Sequence, residues 1–494
     1  MMNDNVLIRQ LPTGVPGLDA LLGGGLPEFS FNLIAGAPGG GKTTLAHQIM
    51  FSQAGPDHRA IFFTVLGEPT LKMLRYQQQF SFFDASKVNA SIRYVNLSQD
   101  LQQGNFDQVL TRIVDEVQAY SPSLVFVASF RSVMQSGPHD QFAMQRFLQQ
   151  LGMAMTSWQA TTFLIGEYTP SEAASNPIFT VADGIIWMTQ NLYLDTMVRK
   201  IQVLKMRGQS QRTEQYTFRI QENGLEIFPR AIAELSGQSH STAVPGREKR
   251  MAMGVPGLDA MLGGGLPTGY ALLVVGPSGA GKTILATEFL AEGVRLGEPG
   301  VIAAFEKSPS QLLNKTLYNM VQSGQVGMID ARSLSLSIDE TLHNLITRIQ
   351  HLQAKRVVID SLSGFVLVLA PEFHEEFRSA LYRMIAVLTG MGVTVLMTSE
   401  LEDRYTDLRF SPFGSAFLAD AIIVQRYVVI AGRFERVLSV VKVRGSAHSK
   451  DIRLFEITDK GIVLGAQLSE YSGVLSGNPK LDAGLGFAEE ESGP

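Results

Sequence analysis

Cysteine is absent from the 494 residues. That removes disulfides, thiolate nucleophiles, iron–sulfur clusters and cysteine zinc sites together. It is compatible with a reducing compartment. Charge is also sparse, with 18% Asp, Glu, Lys and Arg and a net charge of −5. No long basic run occurs, and tight sequence-independent nucleic-acid binding needs a basic face, so such binding is not expected. Long apolar runs are missing too. The most apolar stretch, residues 357–370, is too short for a membrane span and carries Asp360 and two serines. The N-terminal MMNDNVLIRQ lacks the charged-then-apolar architecture of a signal peptide. A soluble, cytoplasmic protein without a membrane partner is the expectation. Only two tryptophans occur, Trp158 and Trp187, and both read as core or interface residues.

What is present is a globular composition, 45% hydrophobic, long enough for two to four domains at about 150 residues each. The chain is written twice. Residues 15–27 (VPGLDALLGGGLP) return 240 residues later at 255–267 with one substitution, and GAPGGGKT at 36–43 returns as GPSGAGKT at 276–283. Later the offset becomes 237: Ala182-Asp183 answers Ala419-Asp420, and residues 205–208 (KMRG) answer 442–445 (KVRG). The expected organisation is a first domain over 1–232, a polar linker over 233–250, a second domain over 251–470 and an acidic, Gly-rich tail over 471–494.

Within each repeat, short apolar runs alternate with helical spacing. Residues 30–35 and 270–275 read as buried strands, each entering a Gly-rich turn and then a helix. Val109, Leu110, Ile113, Val114 and Val117 share a helical face, as do Leu342, Leu345, Ile346, Ile349 and Leu352. Apolar strands follow at 124–128 and 357–360. The pattern predicts an α/β fold in which a mostly parallel twisted sheet carries helices on both faces.

The two Gly-rich turns match GxxxxGK[ST]. In this motif backbone N–H groups and a helix N-terminus meet phosphate, the lysine reaches the β/γ-phosphates, and the hydroxyl holds Mg²⁺. The first loop offers Gly39, Gly40, Gly41, Lys42, Thr43 and Thr44. The second offers Gly279, Ala280, Gly281, Lys282, Thr283 and Ile284. The expected ligands are ATP and Mg²⁺, with Thr43 and Thr283 on the metal. The repeats diverge where hydrolysis would occur. VVID ends a strand with Asp360, a candidate metal ligand, whereas the matching strand of the first repeat ends in Ala128. AAFEKSP places Glu306 at a strand end, where a carboxylate can orient or deprotonate water. At the same offset the first repeat has Leu66, with Gly67 for Lys307 and Glu68 two residues on. The first repeat is therefore expected to bind nucleotide and hydrolyse it poorly, with Lys282, Glu306 and Asp360 catalytic in the second.

Each repeat also carries two cations near its end: Lys205 and Arg207 around Met206, and Lys442 and Arg444. Strand alternation puts each pair on one face, suited to a triphosphate across a subunit boundary, where an arginine finger contributes several orders of magnitude. Arg444 is the candidate catalytic finger. Arg436, an even six residues before Lys442, is expected on the same face.

PGLDxxLGGGLP before the loop, FEKSP after it, VVIDSLSG, LMTSE, LADAIIV and VVKVRGSAHSKDIRLFEITDKG together resemble the KaiC family of tandem RecA-like ATPases, over about residues 10–475. The resemblance implies two RecA-like P-loop domains, a homohexamer of two stacked rings with nucleotide between subunits, Mg-ATP hydrolysis and a regulatory or signalling role toward a protein partner. In the family's clock members it also implies serine/threonine autokinase and phosphatase activity. Family members commonly carry a Glu pair where this chain has Glu306-Lys307. Ala416-Phe417 stand where the clock members' phosphoacceptor pair lies, and neither accepts phosphate; Ser411 and Ser415 are nearby hydroxyls. The resemblance supports an ATPase better than an oscillator. The alternatives are a clock-type autokinase, distinguished by label transfer to protein, and a RecA-type recombinase or helicase motor, distinguished by stimulation with single-stranded DNA.

Overall fold

The computed structural model describes residues 8–64, 70–102, 106–136, 141–193, 196–210, 212–230, 249–305, 315–330, 337–369, 373–401, 417–459, 461–469, 471–473 and 480–481. The chain divides into two compact units, one ending at Arg230 and the next beginning at Ala231.

The main sheet of the first unit has nine strands: β1 (Phe31–Gly36), β2 (Ala60–Thr64), β3 (Ile92–Asn96), β4 (Leu124–Ala128), β5 (Thr161–Glu167), β6 (Gly184–Tyr193), β7 (Thr196–Met206), β8 (Tyr216–Gln221) and β9 (Gly224–Phe228). The second unit repeats them as β10 (Ala271–Gly276), β11 (Gly300–Ala304), β12 (Val326–Asp330), β13 (Arg356–Asp360), β14 (Thr394–Glu400), β15 (Ala421–Ile430), β16 (Arg433–Val443), β17 (Ile452–Thr458) and β18 (Gly461–Gln467). The spatial order is 9-8-7-6-1-5-4-2-3 in the first, and the second follows with nine added to each number.

Six strands of each sheet are parallel, as the apolar runs predict. The remaining three extend it as an antiparallel meander. Parallel pairing requires a crossover, and the apolar helices supply it. Helices α1 (Lys42–Gln53) and α2 (Phe106–Tyr120) belong to the first unit, α3 (Lys282–Arg295) and α4 (Ile338–Leu352) to the second. The α2 and α4 stripes face the sheet as their spacing predicts. The loop helices α1 and α3 cover the other face. Both faces are thus dry, which is why the central strands read as unbroken apolar runs. Among the described residues no helix is long and apolar enough to cross a membrane.

Buried Arg356 fixes the start of β13. Its guanidinium donates to Glu298 Oε2 at 2.9 and 3.1 Å and to the carbonyls of Ala252 and Phe289. Burial pushes its pKa down, and Glu298 opposes that shift. Strand β4 begins instead with Leu124, so this anchor belongs to the second unit alone.

Candidate nucleotide sites

Parallel strands bring their C-terminal ends to one edge, and a strand-to-helix loop at that edge exposes backbone N–H groups. Both Gly-rich loops lie there. Gly41 (φ 92°) and Gly281 (φ 105°) precede α1 and α3 in left-handed conformation. A Cβ on Gly41 would come within 2.7 Å of Ile220, and one on Gly281 within 2.9 Å of Ile457. The left-handed turn favours glycine at both positions, and a Cβ there would also press on the tip of an isoleucine side chain.

The lysines of the two loops are buried and fold back on the loop carbonyls. Lys42 Nζ donates to Ala37 at 2.7 Å, and Lys282 Nζ donates to Gly276 and Pro277 at 2.8 Å each. Each ammonium thus stands inside its loop's curve. Burial pushes the Lys42 pKa down, and the Glu167 carboxylate opposes that shift.

In the second unit Gly279, Gly281, Lys282, Thr283 and Ile284 line a cavity of about 250 Å³ together with Asp360 and Glu400. Ala280 is part of the loop and is fully buried. Thr283 Oγ1 donates to Asp360 Oδ2 at 2.9 Å, and Thr398, from the neighbouring strand β14, donates to Asp360 Oδ1. Two hydroxyls thus fix a carboxylate at the end of β13. A hydroxyl and a carboxylate oxygen this close are the hard ligands that Mg²⁺ takes, so the residues fit the cation.

In the first unit Gly39, Gly41, Lys42, Thr43 and Thr44 line a larger cavity of about 470 Å³, and Gly40 lies buried in the same loop. The strand register shows what has changed. Ala128 occupies the place of Asp360, Ile165 that of Thr398 and Thr64 that of Ala304. The carboxylate and one of its hydroxyl partners are gone. Phe62, Met73, Ile165 and Ile220 contribute apolar wall instead. One turn into α1, buried His47 bonds Thr43 O through Nδ1 at 2.7 Å and stacks on Phe62. Burial pushes its pKa down to about 4, so the ring is neutral at pH 7. Thr287 bonds the same carbonyl in the second unit.

Lys205 and Arg207, and Lys442 and Arg444, gather at the opposite edge of their own sheets. Arg207 pairs with Asp183 at 3.1 Å and Arg444 with Asp420 at 3.2 Å. Lys205 donates to Thr180 O at 2.9 Å and Lys442 to Ala419 O at 2.7 Å. Asp420 also accepts from the N–H of Ala271, the first residue of β10, whose last residue opens the loop. The five rises from the first to the last residue of β10, about 16 Å at ~3.3 Å per residue, separate these cations from the loop of their own unit, and β1 does the same in the first unit. The Met206 side chain, between the two cations of the first repeat, is packed in the core.

Arg436 departs from its expected face. The β15–β16 register skips Val441, pairing Ile422 with Lys442 but Ile423 with Val440. This bulge reverses the alternation, so Arg436 and Lys442 point to opposite faces. Arg436 lies toward the loop edge, its guanidinium 5.4 Å from the ring of Tyr427, whose hydroxyl borders Gly279.

Glu306 lies outside the described residues, as do Leu66, Gly67, Glu68, Lys307, Ser411, Ser415, Ala416, most of the 233–250 linker and most of the tail. The sequence reading passed over Glu400 and Glu167. They end β14 and β5, pair with Gly276 and Gly36 in register, and line the two cavities. The available signal was a polar end to an apolar strand in both repeats, TSE at 398–400 and IGE at 165–167.

A family model described as "ATPase: KaiC" matches residues 11–232 and again residues 251–469. Among curated relatives, the circadian clock oscillator protein KaiC of Picosynechococcus sp. is 27% identical, over 96% of this chain and 92% of its own length. The circadian clock protein KaiC3 of Synechocystis sp. is 27% identical over 96% and 95%. The circadian clock oscillator protein KaiC of Prochlorococcus marinus is 27% identical over 97% of each chain. With its P-loop domain matched twice in tandem, the chain belongs to the KaiC family of ATPases.

Proposed function

We propose that this protein is a Mg-ATP-dependent ring ATPase that acts as a regulatory switch, hydrolysing ATP mainly in its second domain and holding nucleotide as a structural ligand in its first. The supporting observation is the asymmetry of the two strand ends: Thr283, Asp360 and Thr398 form one network in the second unit, and Ala128 and Ile165 stand in the matching positions of the first. The domains are taken as residues 1–232 and 251–470, joined by 233–250 and followed by a tail at 471–494.

In the second domain, the loop N–H groups of Gly279 to Thr283 bind the phosphates and Lys282 turns from its loop carbonyls to the β/γ-phosphates. Thr283 and Asp360 hold Mg²⁺, which when bound neutralises charge on the phosphate oxygens. Glu306 accepts the proton of the attacking water or orients it. Arg444, with Lys442, acts on the triphosphate of a neighbouring copy, because the span of β10 keeps both from their own loop. That requirement favours nucleotide at subunit interfaces in a homohexameric double ring. Binding of nucleotide to the assembled form alone favours assembly by mass action. The readout passes to a regulatory protein partner, and no nucleic-acid role is assigned.

The two loop lysines separate the domains' roles. Lys282→Ala is expected to remove nearly all steady-state phosphate release, and Lys42→Ala to leave most of it while weakening assembly in ATP. Size-exclusion chromatography and phosphate release on both variants check this. Equal loss from both variants would assign the chemistry to both domains.

A further inference from the structure

Gln425 of β15 is wholly buried, and neither Nε2 nor Oε1 of its carboxamide has a partner among the described residues. A buried amide without hydrogen bonds is costly, and native folds keep few of them. This one stands at the root of the second loop. Val275 pairs with Val424, so Gln425 follows beside Gly276, and a Cβ on Gly276 would stand 3.2 Å from that of Gln425. Ile423, on the same strand face, packs in the core under α3. The first unit has Met188 at this place, in register with Gly36, and its Cε lies 3.6 Å from where a Cβ on Gly41 would stand. Glutamine has the length of methionine, so a glutamine here also reaches beneath the loop. The first loop is braced by a different amide. Gln190, which borders Gly39 as Tyr427 borders Gly279, donates to Pro38 O at 2.7 Å. In the second unit the glutamine sits two residues earlier, on the same strand face, and is unpaired.

The carbonyls beside it are occupied. Lys282 Nζ donates to Gly276 O and Pro277 O, which also accept from the N–H groups of Leu401 and Ala280. When the ammonium turns to phosphate, each carbonyl regains a free lone pair close to an amide with free N–H groups. We infer that Gln425 is a positioning residue of the second loop, whose Nε2 donates to a carbonyl that Lys282 releases, at Gly276 or Pro277. Nucleotide binding then replaces a buried unpaired donor by a hydrogen bond and holds the loop in its loaded shape. The inference rests on the reading that Lys282 leaves its loop for the phosphates. The first loop has no such exchange, because Gln190 braces it while Lys42 still bonds Ala37 O.

The test uses the full chain and Gln425→Met, which places the residue of the first unit in the second and keeps the volume. Without nucleotide, the thermal midpoint is expected to rise by a few degrees, because unpaired buried amide groups are removed. The KM for ATP in steady-state hydrolysis should nonetheless rise about fivefold, the worth of one net hydrogen bond, with a smaller change in kcat. The Lys282→Ala background adds a readout that packing alone does not move. There the carbonyls are free without nucleotide and Gln425 already donates, so Gln425→Met should lower the midpoint instead of raising it. A KM unmoved by Gln425→Met, or a midpoint shift of the same sign in both backgrounds, would overturn the inference while leaving Lys282 at the phosphates. Hydrolysis by Lys282→Ala equal to that of the parent would overturn the reading beneath it as well.

Discussion

Asp360→Asn lowers steady-state ATP hydrolysis by about 10²-fold or more, the scale on which a metal ligand or a donor aimed at developing charge contributes. Asparagine keeps the shape of the side chain and its carbonyl still accepts one hydrogen bond, so Thr283 or Thr398 retains a partner at the end of β13. What it removes is the negative charge that would share the cation with Thr283. Nucleotide binding through the loop N–H groups and Lys282 should fall far less than the rate. The thermal midpoint should move by only a few degrees, because the exchange leaves no cavity. Paired measurement of phosphate release and nucleotide affinity separates these effects. A variant that hydrolyses like the parent would remove Asp360 from the metal site. The matching position of the first domain is alanine, so the same charge is already missing there.

Arg444→Ala lowers hydrolysis by about 10³-fold, the lower end of what an arginine finger contributes to phosphoryl transfer. Its stability cost should be small. The Arg444–Asp420 pair has a guanidinium that is 64% exposed, and exposed pairs contribute about 0–1 kcal/mol. Loss of rate without loss of fold is already informative, but mixing is the sharper test. Arg444→Ala subunits keep an intact loop, and Lys282→Ala subunits keep an intact finger. Combined in one ring, they place a good loop beside a good arginine at roughly a quarter of the interfaces of an equal mixture. Activity should therefore reappear on mixing two inactive proteins. Failure to recover, with co-assembly verified by mass, would make Arg444 a partner of Asp420 alone.

The parts legible in the sequence are those whose chemistry is contiguous. Glycine, lysine and threonine in one octapeptide specify a loop, and the helix stripes of α2 and α4 specify their buried faces without tertiary help. Asp360 was legible because VVID ends a run that can only be a buried strand. The meander was not. Strands β7, β8 and β16 to β18 are long or half-exposed and β9 is broken by Glu226, so their apolar residues do not form the unbroken runs of the central strands. The bulge at Val441 was equally hidden. One extra residue in a regular-looking strand inverts the face of everything before it, and Arg436 was assigned to the wrong side for that reason alone. Glu167 and Glu400 were missed because a strand-end carboxylate acquires meaning only from its neighbour. That neighbour is set by sheet order: β5 lies beside β1, and β14 beside β10, across more than a hundred residues of chain.

The division of labour between the domains has its most direct test in the fate of the γ-phosphate. Purified protein and its Glu306→Gln variant are incubated with Mg²⁺ and γ-labelled ATP, and label is followed in free phosphate and in protein together. The expected result is label in free phosphate from the parent, loss of nearly all of it in the variant, and no stable label on protein. Undiminished phosphate release by Glu306→Gln would contradict the assignment of the chemistry to the second domain and direct attention to Glu68. Stable label on protein would contradict the hydrolytic reading itself and make the protein a kinase.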